Sequence, residues 1–385
     1  MESSFFEERF IFNPETSSKG HAHASCIIET PQGNLLTTWY ENGPKLDSYY
    51  YKSGDWDKSD DVRIGGAWFS KEFDSWAPPF VMSDTFGVSD NNPTLIIDKQ
   101  KRLWVFYVTL LAVPMRAWES ALVRYKISTD YENASPPCWE QEDILVPHSN
   151  NFDQIIINEA DMLRRTSSRR NKDNLTMAKE LTDKLNDPYS RRLGWMTRNH
   201  PKVLDDGTLI LPLANENFNV AAMAITSDGG KSWKMSQTVP GIGVIQPSIV
   251  QLKDRRLVAF FRDTSQLCRI RRSESLDNGL TWSDITPTEL PNPNSGIEAV
   301  LLQNGNMVMI YNDKETSPRD RIAVSLSTDE GKTWKWTRYL DNIPGERFSY
   351  PSVIQSRNGL IHVTYSYNLK TIKHVCFNES WIMNE

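Results

Sequence analysis

Apolar and polar positions alternate along this chain in a repeating order: a short apolar strand, a turn holding Gly, Asn, Asp or basic residues, then a second apolar strand. The order occurs at residues 23–28 and 35–40 around Gln32-Gly33-Asn34, and at 92–97 and 103–107 around 99–101. It returns at 200–204 and 209–213 around Asp206-Gly207, and at 246–250 and 257–261 around 254–256. The last copies are 296–302 with 307–311 around Asn304-Gly305-Asn306, and 350–354 with 360–365 around Asn358-Gly359. β-branched and aromatic runs around such turns predict hairpins. Six hairpins, several followed by a second pair of strands, predict an all-β, six-bladed propeller of four-stranded antiparallel blades.

A second repeat sharpens this. Thr226-Ser227-Asp228-Gly229-Gly230-Lys231-Ser232-Trp233 recurs as residues 275–282 and again as 327–334, with the shared pattern Ser/Thr-x-Asp-x-Gly-x-Ser/Thr-Trp. The Asp binds backbone N–H groups further on, Gly supplies φ > 0 and Trp anchors the turn in the layer beneath. Only traces of the pattern remain near residues 70–76 and 128–139. These octamers resemble the Asp-boxes of the sialidase superfamily, where they are structural turns remote from the chemistry.

Too little chain follows Tyr367 to complete the last blade, so residues 5–12 are expected to supply its outer strand and close the ring. Residues 1–385 then form one domain. Between 146 and 198 strand alternation lapses, and apolar residues in 158–165 and 175–185 recur at helical spacing. This predicts a helical insertion between the second and third blades. So long an excursion is expected to serve function or self-association.

Composition narrows the partners. A formal charge of −6 argues against nucleic acid recruited by bulk charge. No apolar run is long enough to span a membrane, and the start of the chain lacks the pattern of a signal peptide. Cys26, Cys138, Cys268 and Cys376 have no metal-type spacing, and no cofactor motif is present. Together these predict a reduced, cytoplasmic protein without metal or cofactor.

Strand geometry places the start of each first strand and the end of each second strand on one face. The polar residues there are Asn92, Arg198-Asn199-His200, Gln246, Asn294, Glu298, Arg347 and Tyr350, together with His23, Glu41, Glu216 and Arg262. Converging polar groups from all six blades suit a polar ligand such as a sugar. For any one of them the alternative is a strand-end hydrogen bond.

Comparison with sialidases assigns roles. Their nucleophilic Tyr resembles Tyr350, and two of their three carboxylate-gripping Arg resemble Arg262 and either Arg319 or Arg321. Their Arg-Ile-Pro stands where this chain has His23-Ala24-Ser25, and the Glu that activates Tyr falls on Gln246. Their Asp acid has no clear counterpart; Asp47, Asp60 and Asp90 lie in the right part of the chain. The sialidase-like proteins with degenerate Asp-boxes are a closer likeness, carried by residues 23–25, 291–299, 348–351 and 362–365. Some of that group cleave rhamnosyl-glucuronate linkages with an axial His.

The resemblance therefore implies an exo-acting glycoside hydrolase on an acidic or decorated oligosaccharide. His23, Tyr350, Glu298 and His200 are the catalytic candidates. Arg262, Arg319, Arg321, Arg198, Asn92, Asn199, Gln246, Asn294 and Arg347 are the substrate-binding candidates. Two alternatives stay open at this point: a lyase acting on a uronate in the same pocket, and a glycan-binding propeller without turnover.

Overall fold

The structure, a computed structural model, describes residues 3–15, 20–43, 54–70, 73–112, 116–132, 135–167 and 173–384. Six antiparallel sheets stand around one axis. Blade one starts with Ala22–Glu29, Leu35–Asn42 and Val62–Ser70, and its outer edge is split between Ser75–Trp76 and Phe80–Ser83. Blade two runs Ser89–Ile97, Leu103–Ala112, Arg116–Ser128 and Gln141–Leu145. In blade three Trp195–Met196 and Lys202–Val203 both pair with Leu209–Asn215, followed by Val220–Thr226 and Lys234–Met235. Blades four and five are four-stranded from Val244–Gln251 to Thr286–Pro291 and from Glu298–Leu301 to Trp336–Asn342. Blade six is Phe348–Gln355, Ile361–Tyr367 and Thr371–Phe377, completed by Phe6–Phe10 in the register Phe6↔Phe377 to Phe10↔Lys373.

The octamer turns are built alike. The hydroxyls of Thr226, Ser275 and Ser327 donate to the Asp two residues on at 2.7–2.9 Å and accept from a glycine N–H at 2.9 Å. The second Asp oxygen accepts from the hydroxyl of Ser232, Thr281 or Thr333 at 2.6–2.7 Å. The closing Trp then packs on the preceding blade: Trp233 meets Phe106 edge-on, and Trp334 meets Phe260. Gly331 sits at φ +74° with its missing Cβ 2.7 Å from Phe260 Cζ, whereas Gly359 has φ +87° and open space around it. Gly331→Ala is expected to cost about 2–3 kcal/mol in urea denaturation and Gly359→Ala about 1, because only the first adds a clash to the backbone strain. Equal losses would show that the packing against blade four contributes nothing.

Between blades two and three lie helices α1 (Phe152–Thr166), α2 (Asp173–Asn186) and α3 (Pro188–Arg192). α1 buries Phe152, Ile156, Ala160 and Leu163, one face of a 3.6-residue repeat. Phe152 and Ile156 join the core shared by blades two and three, with the Phe152 ring on Trp195 and Phe218. The four cysteines are unpaired. No helix among the described residues is long and apolar enough to cross a membrane.

Candidate active site

The inner strands carry an unusual backbone feature where they meet the axis. In blades one, two, four and six the pairing slips between His23/Cys26, Asn91/Thr94, Ile245/Ser248 and Ser349/Ser352. Within each slip one non-glycine residue is left-handed: Ala24 at φ 55°, Asn92 at 48°, Gln246 at 52° and Tyr350 at 52°. Such conformations cost ~1–3 kcal/mol each and collect at functional sites. Bulges of this kind re-aim a side chain.

Tyr350 is the centre of the upper cup. Its hydroxyl accepts from Arg262 Nη1 at 3.1 Å, and the Arg198 guanidinium lies 5.0 Å from its ring centroid. Arg262 also donates to Asn294 Oδ1 at 2.7 Å and to Gln246 Oε1 at 3.3 Å, while Arg319 donates to the Asn294 carbonyl at 2.5 Å. Gly296 makes room for the phenol, since a Cβ there would stand 2.6 Å from Tyr350 Cδ1. His23 presents its edge to Tyr350 with centroids 4.5 Å apart. Its Nδ1 lies 2.8 Å from Ser366 Oγ, which also accepts from the Ala24 N–H at 3.0 Å.

Charge and burial set the proton states of the cup. Burial would raise the Tyr350 phenol, but Arg262 and Arg319 overcome it and hold its pKa below the ordinary value. Burial, then His21 and the nearby arginines, keep His23 well below the usual imidazole range. His21 is lowered to about 4 by burial and Arg347. Both rings are therefore neutral near pH 7 and weak as bases, each able to accept a hydrogen bond. Arg319 is lowered to about 10, chiefly by burial. Arg347 is exposed at the rim and acts electrostatically on His21, His23 and Arg319.

Two carboxyls belong to this neighbourhood. Asp57, in the 3-10 turn Trp56–Lys58, is raised to about 6 by burial and is close enough to act on Tyr40 and feel Arg347. Glu216, after blade three's second strand, is raised by burial against the pull of Arg262. Asp57 escaped the sequence reading, which looked to Asp47, Asp60 and Asp90. Asp47 lies outside the described residues, Asp60 is exposed, and Asp90 is buried accepting from Thr85 N and Thr109 Oγ1.

Below the cup the axis is plugged. Arg198 is buried and donates to the Ser25 and Pro351 carbonyls at 3.2 and 2.7 Å. Glu298 accepts from His200 N at 2.8 Å and Val353 N at 2.9 Å, and its Oε2 stands 3.0 Å from His200 Nδ1. His200 Nε2 faces the Ile27 carbonyl at 2.8 Å and Cys26 Sγ at 3.1 Å. A carboxylate and a carbonyl both only accept, so the ring between them is an imidazolium. Burial opposes that charge, but the Cys26 sulfur and Glu298 raise the His200 pKa well above its usual value.

The structure thus brings His23, Tyr350, Arg262, Arg319, Gln246 and Asn294 together in the cup, with Arg347 at its rim. It places His200, Glu298 and Arg198 in the layer beneath. Asn199 ties the Gln246 carbonyl at 2.8 Å, and the Asn92 carbonyl accepts from Thr197 at 2.6 Å. Arg321 turns instead to Tyr339, 5.1 Å from its ring, and to Asn342.

A model of the BNR repeat-like domain matches residues 158–363, more than half of the chain. The chain belongs to the BNR repeat-like family. This BNR repeat-like protein is 22% identical over 171 residues to a sialidase of Micromonospora viridifaciens, a match covering 42% of the chain and 26% of the sialidase. The chain thus spans about a quarter of the length of that relative. A Dyadobacter fermentans protein of unknown function superposes with a TM-score of 0.70 at 16% identity, covering 97% of this chain and 98% of that one. A Hadza microbial sialidase gives 0.71 at 14%, covering 97% and 69%. A leech intramolecular trans-sialidase, complexed with 2,7-anhydro-Neu5Ac, gives 0.68 at 11%, covering 98% and 71%. At these identities the likeness establishes the sialidase-like propeller fold of the BNR repeat-like chain.

Proposed function

We propose that this chain is a carbohydrate-active enzyme that releases a terminal acidic sugar from a glycan by hydrolysis in the upper cup. The observation that carries the reading is the Tyr350 hydroxyl held by Arg262, with Arg319 beside it and a neutral His23 against its ring. Arg262 and Arg319 pair with the substrate carboxylate, a task suited to the planar guanidinium. The same cations stabilise the phenolate form of Tyr350, which attacks the anomeric carbon. Asp57 protonates the leaving oxygen, its carboxyl retaining a proton up to about pH 6, and then takes a proton from the water that displaces Tyr350 from the anomeric carbon and frees the sugar. Sialidases and a trans-sialidase among the relatives of like fold support an acidic glycan as substrate.

A lyase is the second reading, favoured by one observation. Gln246 places an amide, not a carboxylate, beside Arg262 and Tyr350, and the Tyr350 phenolate favoured by Arg262 and Arg319 is a base for the C5 proton of a uronate. A panel of sialosides and rhamnosyl-glucuronates, followed for reducing ends and for the ultraviolet absorbance of an unsaturated product, separates the two. Saturable binding with neither product would sink both and leave a glycan-binding propeller.

The pH profile tests the acid. With Asp57 as proton donor, kcat/KM falls about tenfold per pH unit above about 6, where the raised carboxyl loses its proton. Asp57→Asn should lower turnover of alkyl glycosides at least about 100-fold, with a smaller loss on aryl glycosides whose leaving groups need no proton. A mutant that keeps the same alkaline limb assigns the acid elsewhere.

A further inference from the structure

Beneath the His200–Glu298 plug the axial channel opens again, on the face that carries the hairpin turns. There it widens into a cavity of about 340 Å³, at the lower end of the size range of small-molecule sites. All six blades wall it, through Ile28, Ile97, Val203, Val250, Val300 and Ile354. Each blade thus contributes a branched aliphatic side chain, while about half of the exposed wall is polar.

Its three charged residues are unequal. Glu29 accepts from Arg357 N at 2.9 Å and stands 3.5 Å from Arg357 Nε. His200 is neutralised by Glu298 in the plug. The Lys202 ammonium makes no hydrogen bond or ion pair among the described residues. The carboxylate that acts on it, Asp205, is largely exposed and lies 3.8 Å from Arg255. Burial lowers the pKa of the Lys202 amine, Asp205 partly offsets this, and Lys99 adds to it. One half-buried cation is therefore left beside the aliphatic side chains with no anion in ion-pair contact among the described residues.

We propose that this second mouth binds a small organic anion with an apolar body, a short alkyl carboxylate, whose head pairs with Lys202 and whose chain lies among Ile28, Ile97, Val250, Val300 and Ile354. The cavity supplies both halves of that recognition: aliphatic walls for the hydrocarbon, and an ammonium whose only uncompensated need is an anion. The site is separated from the upper cup by Arg198, His200 and Glu298, so it stands whether or not the proposed hydrolysis is correct.

The test is calorimetric titration of the full chain with hexanoate and with 1-hexanol. Hexanoate is expected to bind at one site with a Kd of about 1 mM or tighter, within reach of so small a ligand. The alcohol should bind at least tenfold more weakly, since it lacks the charge. Lys202→Gln should weaken hexanoate at least tenfold. Val300→Phe, which fills the cavity and leaves the amine in place, should do the same, so the result does not depend on how one variant folds. Tyr350→Phe and Arg262→Ala should leave hexanoate binding unchanged. Equal binding of acid and alcohol, unaltered binding by Lys202→Gln, absence of saturation, or loss of binding in Arg262→Ala would each overturn the proposal.

Discussion

Tyr350→Phe is expected to lower kcat on an acidic exo-substrate by at least about 100-fold while leaving KM within about threefold. The hydroxyl accepts from Arg262 Nη1 at 3.1 Å and also bonds the Gln246 side chain, and the ring is fixed independently of these by His23, Arg198 and the bare surface of Gly296. Removing the oxygen therefore removes the reacting group and not the shape of the cup. Stability should fall by at most ~1–3 kcal/mol, the worth of one such hydrogen bond, because Arg262 keeps Asn294 and Gln246. Gly296→Ala should cause part of the same loss by pushing the ring aside. A change confined to KM would mean that Tyr350 binds sugar without reacting, and the nucleophile would have to be sought elsewhere.

The second large effect concerns the plug. Glu298→Gln is expected to destabilise the fold by about 3–5 kcal/mol in chemical denaturation, the usual cost of leaving a buried charge without its partner. The amide keeps the size of the carboxylate but cannot neutralise His200 or satisfy Val353 N, His200 N and His200 Nδ1 together. The loss has a definite pH window. Burial opposes the Glu298 charge, yet His200 and Arg198 hold its pKa below the ordinary 4.5, so its contribution is complete above 4.5 and disappears as pH falls through the lower folded value. The raised His200 contributes fully below the ordinary 6.5 and loses that contribution as pH rises through its folded value. The penalty of Glu298→Gln should accordingly be greatest between 4.5 and 6.5. Adding His200→Gln should return a good part of it. A single-mutant cost under about 1 kcal/mol would show that the pair is not a structural unit.

The propeller was legible because its signals are local. Strand alternation, Asn-Gly turns and the Ser/Thr–Asp–Gly–Ser/Thr network are all closed within a few residues. Tyr350, Arg262 and His23 were legible for a related reason: they sit at strand ends, where alternation fixes the face. Asp57 was not, since it comes from an irregular turn between two strands, where no periodicity says which way a side chain looks. Arg319 and Arg321 could not be told apart, because the choice depends on Asn294 and Tyr339, which reach them from different segments. Nor does sequence reveal that both Glu298 oxygens receive protein donors, since those donors, His200 and Val353, belong to other blades.

The pairing of Phe6–Phe10 with Thr371–Phe377 has a consequence for biosynthesis. During vectorial emergence from a ribosome, the strand made near the beginning of the ring waits until nearly everything else has been translated. Throughout that interval the Phe6–Phe10 strand keeps its backbone unpaired and the newest blade shows an uncovered face, states in which chains recruit strangers. Stalled or prematurely released chains of this protein would be expected to join one another end to end, each arc lending its first strand to the next.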